Sequence, residues 1–272
     1  VYDPVDAATQ AINAGVDIVM LAEEHYDHDE DYLARQVALI EGVKTAVRER
    51  RISEARLDEA VGRTLRLKAT LGEAPIAPGT VGSDEHRAVE LAAAQAAMSV
   101  LRGSVELLPV QPGTPLTVVN TTRREAYTIL GQTRGIGPNQ TDPAFDLFLE
   151  AVRRRSPEVH VMTAEEVLEG ARPSHAGLVV AVTESHPLPG VDFDRSAAPQ
   201  VLEDLTQGGH LVQVVALRDP YELEQLSFIG HYLCAFGPRW CSAEAAAQVL
   251  FVEAGAGRGS PVSVPGTEVR AR

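Results

Sequence analysis

From Leu116 onward, short apolar runs alternate with amphipathic segments, and this alternation restricts the fold more than any other feature of the chain. Strands separated by helices are joined by right-handed crossovers, which predicts a mostly parallel sheet with helices on both faces. We expect strands at 116–120, 159–162, 178–183, 211–217 and 231–236. We expect helices at 142–155, 197–207 and 242–252. Residues 116–272 are therefore predicted to form a three-layer α/β sandwich.

The first 115 residues have a different pattern, in which helices dominate. We expect helices at 6–14, 32–50, 53–71 and from Ser83 to about Leu101. Ser53 is a strong N-cap signal, and Gly72 ends the helix that it begins. Residues 16–21 are apolar except for Asp17, which predicts a strand buried on both faces. Pro and Gly residues between 75 and 82 indicate a linker.

Composition excludes several classes of partner. The net charge of −14 argues against nucleic acid and anionic membrane surfaces, which need basic patches. No run approaches the roughly 18 apolar residues of a membrane helix. The chain opens at Val1 without an initiator Met, so we expect any targeting segment to lie upstream. Cys234 and Cys241 are too few for a disulfide scaffold, and a core thiol on a strand with a second thiol near a helix start is favoured over a bond between them.

The sequence of residues 51–68 resembles the helix that closes the catalytic barrel of glycoside hydrolase family 3. Four other segments resemble motifs of that family in the same order: 11–20, 83–110, 214–221 and 261–265. The pattern is nearest the β-N-acetylglucosaminidase branch. Arg102-Gly103 and residues 251–255 depart from the family wording, which weakens any inherited sugar contact by the second domain.

This resemblance implies an α/β chain with the last strand–helix unit of a (β/α)8 barrel, followed by the sandwich. The implied domains are a barrel remnant at 1–74, a linker with the helix leading into the sandwich at 75–115, and the sandwich at 116–272. Only 50 residues precede the closing helix, so we expect most of such a barrel to lie outside this chain. The missing segment would belong to the same polypeptide or to a separate chain.

The same resemblance implies a retaining glycosidase, which needs two carboxyl-type groups about 5 Å apart. The family's Asp nucleophile precedes the strand at 16–21. Its acid/base, a His in this branch, lies on an earlier loop. Neither motif occurs here, so no catalytic residue is predicted in this chain. Because barrel active sites lie beyond the strand carboxyl ends, Met20 and Glu23 are predicted to line the substrate site.

Other candidate sites are weaker. An acidic, His-containing stretch suggests a metal site, but its spacing matches no closed site, and an acidic helix start is favoured. Its residues are His25, Asp27, His28, Asp29 and Asp31. Ser174-His175 and Ser185-His186 lack a nucleophile-elbow motif. Residues 135–139 resemble a phosphate loop, but Pro138 removes a donor, so a surface turn is favoured. No metal or cofactor is predicted.

Two functions remain open from the sequence. In the first, the chain is the C-terminal part of a retaining glycosidase that acts on β-linked N-acetylglucosamine, with carbohydrate as substrate. In the second, it is a non-catalytic α/β scaffold or interaction subunit. The exact sugar and the oligomeric state are not fixed by the sequence. We expect a cytoplasmic or secreted bacterial protein, with the cytoplasm favoured.

Overall fold

A computed structural model describes residues 3–21, 31–72, 77, 79–103, 110–123, 142–174, 178–184 and 197–270. The chain forms two compact units, Val1–Pro78 and Gly79–Arg272. The three domains proposed from the sequence, with boundaries after residues 74 and 115, stay a prediction.

The described part of the first unit is helical. It contains α1 (Pro4–Asn13), α2 (Tyr32–Arg48) and α3 (Glu54–Ala69). The Asp3 carboxylate caps the start of α1, and the Ser53 hydroxyl accepts the Arg56 amide at 3.2 Å at the start of α3. Both caps satisfy amides that have no partner within the helix. A small core of Ile12, Ala46 and Ile52 holds the helices together.

Residues 16–21 do not form the predicted buried strand. They pair with no strand in the described part of the chain, and Val16, Ile18 and Met20 are exposed. Only Val19 packs against the small core. A strand needs a neighbour to satisfy its amides and carbonyls, and the described residues of the first unit supply only helices. The buried-strand prediction is therefore wrong for the chain on its own.

The second unit is built on one seven-stranded sheet in the order β3-β2-β4-β5-β6-β1-β7. Its strands are β1 (Ser99–Arg102), β2 (Leu116–Asn120), β3 (Val159–Met162), β4 (Leu178–Thr183), β5 (Leu211–Ala216), β6 (His231–Cys234) and β7 (Gly257–Arg258). Its helices are α4 (Asp84–Ala97), α5 (Ala144–Arg153), α6 (Ala164–Leu168), α7 (Ala197–Gln207) and α8 (Trp240–Leu250). Strands β2 to β6 are parallel, and β1 is antiparallel to β6.

Helices cover both faces of this sheet. On one face, α4, α5 and α8 pack against side chains such as Val118 and Val180. On the other face, α6 and α7 pack against the alternate residues, such as Val179 and Val214. Because successive strand residues point to opposite faces, each of the strands β1 to β6 contributes to both cores. The predicted three-layer, mostly parallel α/β sandwich is confirmed.

The helix predicted from Ser83 to about Leu101 is shorter than expected. Helix α4 ends at Ala97, and the backbone of Met98 turns away from helical geometry with φ −55° and ψ 124°. Ser99 then lies opposite Cys234 on the neighbouring strand β6. Pairing with β6 satisfies the backbone of these residues, and this tertiary contact overrides the helical spacing of the sequence.

Candidate functional site

Polar side chains gather beyond the carboxyl ends of strands β4 and β5. In open parallel sheets, ligands bind at this edge, where the strand order reverses. Here the chain passes from β2 to β3 on one side and then to β4 on the other, so the reversal lies between β2 and β4. The carboxyl-edge cluster, as we name it, consists of Thr183, Glu184, Arg218, Glu222 and Tyr232.

Glu222 is the centre of this cluster. It lies in a short 3-10 helix, Tyr221–Glu224, that follows β5. The Thr183 hydroxyl on β4 and the Tyr232 hydroxyl on β6, the latter at 2.9 Å, both donate to Oε1 of Glu222. The carboxyl therefore bridges two strands across the end of β5, which ties the turn after β5 to the sheet.

Burial gives Glu222 an unusual acidity. Desolvation raises its pKa to about 7, and the charge of Asp219 acts in the same direction, while the two hydrogen bonds oppose them. Part of the residue still reaches the surface, so the carboxyl can exchange a proton with solvent. Burial also raises the pKa of Tyr232 and of the neighbouring Cys234 thiol, so both stay neutral near neutral pH. Glu222 is thus the group that can gain or lose a proton there.

Another carboxyl at this edge is paired with an arginine. Glu184 follows β4, its side chain is 1% exposed, and its Oε1 lies 3.5 Å from Nε of Arg218. Asp146 on α5 is also part of this acidic region, because burial and the charges of Asp142, Glu150 and Glu184 raise its pKa. The exposed ring of Tyr221 lies in the adjoining turn. The edge thus carries two polar groups, Glu222 with its two hydroxyl donors and the Glu184–Arg218 pair.

The residues predicted to line a substrate site belong to the first unit. Met20 is 85% exposed at the end of the 16–21 segment, and Glu23 lies outside the described residues. Arg56 fixes the start of that segment, since its guanidinium donates to Ile12 O at 2.8 Å, Val16 O at 3.0 Å and the Asp17 carboxylate at 2.8 Å. No finding tests the predicted role of Met20 or Glu23.

The weaker candidates gain no support. Residues 135–139, the Ser185-His186 pair, His175 and the stretch from His25 to Glu30 lie outside the described residues. Cys234 and Cys241 are buried free thiols. Within the described ranges, no three metal-ligating side chains come together. No helix in those ranges combines the length and apolar character needed to cross a bilayer.

Sequence reasoning missed the carboxyl-edge cluster. Thr183 and Glu184 directly end the apolar run of β4, so the rule that parallel strands bind ligands at their carboxyl ends could have found them. Glu222 and Tyr232 gave no local signal, because they meet only when β5 and β6 lie side by side.

Comparison with solved structures identifies the fold. A fungal multi-domain family 3 β-N-acetylglucosaminidase matches 97% of this chain at a TM-score of 0.62 and 16% identity. A glycoside hydrolase family 3 β-N-acetylglucosaminidase from Paenibacillus sp. str. FPU-7 matches 93% of this chain at a TM-score of 0.61 and 20% identity. A β-glucosidase from Listeria innocua matches 93% of this chain at a TM-score of 0.55 and 20% identity.

The chain has the fold of the carboxyl-terminal portion of a family 3 glycoside hydrolase. It spans 29%, 46% and 36% of the length of those three proteins, respectively. No protein-family model matches the sequence, and no curated protein matches it. The family 3 fold agrees with the five sequence motifs, and at these identities it establishes architecture rather than activity.

Proposed function

We propose that this chain is the C-terminal part of a retaining glycoside hydrolase that acts on β-linked N-acetylglucosamine, with its catalytic groups on a barrel segment outside the chain. The observation that supports this most is the uncovered apolar surface of the first unit. Helix α2 exposes Leu33, Val37 and Ile40 along one stripe. Helix α3 exposes a second stripe, Leu57, Val61 and Leu65.

Stripes of this kind indicate a missing neighbour. The spacing of three and four residues puts each set on one side of its helix, where a globular protein normally buries it. Contiguous exposed apolar patches on soluble proteins mark surfaces that other protein covers. A barrel segment of the length present in the structural neighbours would supply that cover.

The 16–21 segment gives independent support. It pairs with no described strand, yet Arg56 and Gln36 hold it at both ends. Gln36 donates to Leu21 O at 3.4 Å, and Arg56 donates to Val16 O. A segment held in this way can receive barrel strands along its edges without rearranging. Met20 and Glu23 would then reach the rim where barrel enzymes bind substrate.

The substrate-site role is tested in the longer polypeptide that contains this chain. Met20→Ala and Glu23→Gln are each expected to raise KM for nitrophenyl N-acetyl-β-glucosaminide about tenfold with kcat little changed, because a contact of about 1.4 kcal/mol is lost. Steady-state kinetics measures this. Val81→Ala and Glu85→Gln, which change exposed residues of the second unit, are the matched controls.

Two outcomes would contradict the proposal at different levels. Unchanged KM in both variants would remove Met20 and Glu23 from the substrate site. Failure of the unmodified longer polypeptide to cleave either the N-acetylglucosaminide or the corresponding β-glucoside would contradict the glycosidase assignment. Cleavage of the glucoside alone would correct the substrate class.

A further inference from the structure

The turn that follows β5 is held at one end by a group that titrates. This β5 turn, residues 218–222, lies between Leu217 and Leu223, which are both fully buried. Its last residue, Glu222, accepts the hydroxyls of Thr183 and Tyr232. Tyr221 within the turn is 49% exposed. The turn therefore carries an exposed ring and is tied to the sheet through one carboxyl.

The chain beyond the turn is held differently. The Arg102 guanidinium on β1 donates to Leu226 O, to Ile229 O at 3.4 Å and to Leu223 O at 3.3 Å. An arginine stays charged at all physiological pH values, so this anchor does not titrate. Leu223, Leu226 and Ile229 are also buried in the core under α7. The β5 turn is thus held by a carboxyl that titrates, and the adjoining part of the loop is held by an arginine that does not.

The surroundings of Glu222 decide which protonation state the closed turn favours. Its hydrogen bonds come from Thr183 on β4 and Tyr232 on β6, and the charge that acts on it is that of Asp219, which has the same sign. The neighbouring Cys234 thiol on β6 is neutral. The facing arginines are engaged elsewhere: Arg218 with Glu184, and Arg102 with backbone carbonyls. An ionised carboxylate in this position is desolvated and faces a like charge, so it gains by moving into water.

We propose that the β5 turn is a proton-operated latch, closed on the carboxyl edge while Glu222 is protonated and released when Glu222 ionises. The latch does not depend on the proposed glycosidase activity. Its release moves Tyr221 and Arg218 at the edge where open α/β sheets bind ligands. The core around Leu223 and the Arg102 anchor stays in place, so only residues 218–222 move, and the amides of Leu223 and Gln225 lose their acceptors in that segment.

The sign and size of the effect follow from the two states of the carboxyl. In the open turn Glu222 has the ordinary pKa of 4.5, and in the closed turn the pKa is about 7, so the closed form binds protons more tightly. The closed-to-open ratio is therefore highest below about pH 4.5, falls as the pH rises to about 7 and changes no further above it. A difference of this size lowers the closed-to-open ratio at most about 300-fold. Partial exposure of Glu222 reduces this change, so we expect the closed-to-open ratio to fall at least about tenfold.

Hydrogen exchange of this chain at pH 5 and pH 8 tests the latch, with rates corrected for intrinsic pH dependence. The reporters are the amides of Tyr221, Leu223 and Gln225, which donate to Asp219 Oδ1, Pro220 O and Glu222 O, respectively. Their protection is expected to fall about 10- to 70-fold from pH 5 to pH 8, because the carboxyl of the open turn is already partly ionised at pH 5. The amide of Ile229, which lies in the part held by Arg102, is the internal control and is expected to change less than threefold.

Glu222→Gln is the decisive variant, because an amide keeps the oxygen that accepts both hydroxyls and cannot ionise. Its reporter protection is expected to be the same at both pH values. If Glu222→Gln does not fold, Asp219→Asn is the alternative variant. It keeps the oxygen that accepts the Tyr221 amide and removes the charge of like sign. The pH midpoint of the fall in protection is therefore expected to move to lower pH. The latch would be overturned if reporter protection in the wild type were the same at both pH values, or if it fell equally in Glu222→Gln. It would also be overturned if the pH midpoint in Asp219→Asn were that of the wild type.

Discussion

The isolated 272-residue chain is expected to release no nitrophenol from nitrophenyl N-acetyl-β-glucosaminide above a blank. A retaining glycosidase needs a nucleophile and an acid/base about 5 Å apart across the sugar. The family resemblance implies that both groups lie on barrel segments outside this chain. General acid–base catalysis alone contributes roughly 10²–10⁴-fold, and the covalent step is lost as well. The expected result is therefore loss of all measurable turnover.

Release of nitrophenol by pure material would contradict this expectation, and two variants would show its origin. The carboxyl-edge cluster contains the carboxyls Glu184 and Glu222, so an unrecognised activity would most directly involve them. Turnover that disappears in Glu184→Gln or Glu222→Gln would place catalysis in the second unit. Turnover unchanged in both would leave other residues of the chain or a contaminating enzyme as its source, and active-site titration of the preparation would distinguish the two.

Arg155→Met is expected to lower the free energy of unfolding by about 3 kcal/mol, since it breaks a largely buried ion-pair network. Arg155 follows α5, and its side chain is 11% exposed. It contacts Glu244 on α8 at 2.6 Å and Glu253 at 2.6 Å, and it donates to Ala151 O. Its loss leaves Glu244 mostly buried, with an ion pair to the exposed Arg154 and a hydrogen bond from Gln248.

Urea unfolding of the second unit measures this effect, and Arg154→Met is the matched control. The Arg154 side chain is 59% exposed, so its ion pair with Glu244 is expected to contribute less than about 1 kcal/mol. Equal destabilisation by the two substitutions would contradict the account, because burial would then not distinguish the two arginines.

The same network predicts a pH dependence. Burial raises the pKa of Glu244, but hydrogen bonds from Arg155 and Arg154 outweigh it and hold the pKa below the ordinary 4.5. A depressed carboxyl pKa contributes stability that is present above pH 4.5 and is lost as the pH falls through the folded-state value. Wild-type protein should therefore lose stability on acidification, and Arg155→Met should lose less over the same range.

The sandwich could be predicted from the sequence because its central strands are buried on both faces. The runs at 116–120, 159–162 and 178–183 are mostly apolar, and their predicted bounds agree with β2, β3 and β4. Where local spacing and tertiary pairing disagree, pairing prevails, as at Ser99, which leaves the predicted helix to pair with β6. Residues 16–21 show the opposite case, in which an apolar run finds no strand to pair with.

The candidate site was less accessible to sequence reasoning. The positions of Thr183 and Glu184 follow from the end of an apolar run, but the acidity of Glu222 does not. Burial at the end of the β5 turn raises its pKa, and hydroxyl donors oppose that shift, one of them from Tyr232, which is ten residues away in the chain and on the neighbouring strand β6. Such contacts cannot be predicted from composition or residue spacing before the fold is known.

The mass of the native polypeptide tests the central claim most directly. An antibody raised against this chain, followed by intact-mass spectrometry of the captured protein, reports the length of the molecule that contains it. If the chain is the C-terminal part of a family 3 glycosidase, the mass should exceed twice the 29.1 kDa of the chain, since the chain spans less than half of its structural neighbours. The captured protein should also cleave nitrophenyl N-acetyl-β-glucosaminide. A native mass of 29.1 kDa without a tightly bound second chain would contradict the account.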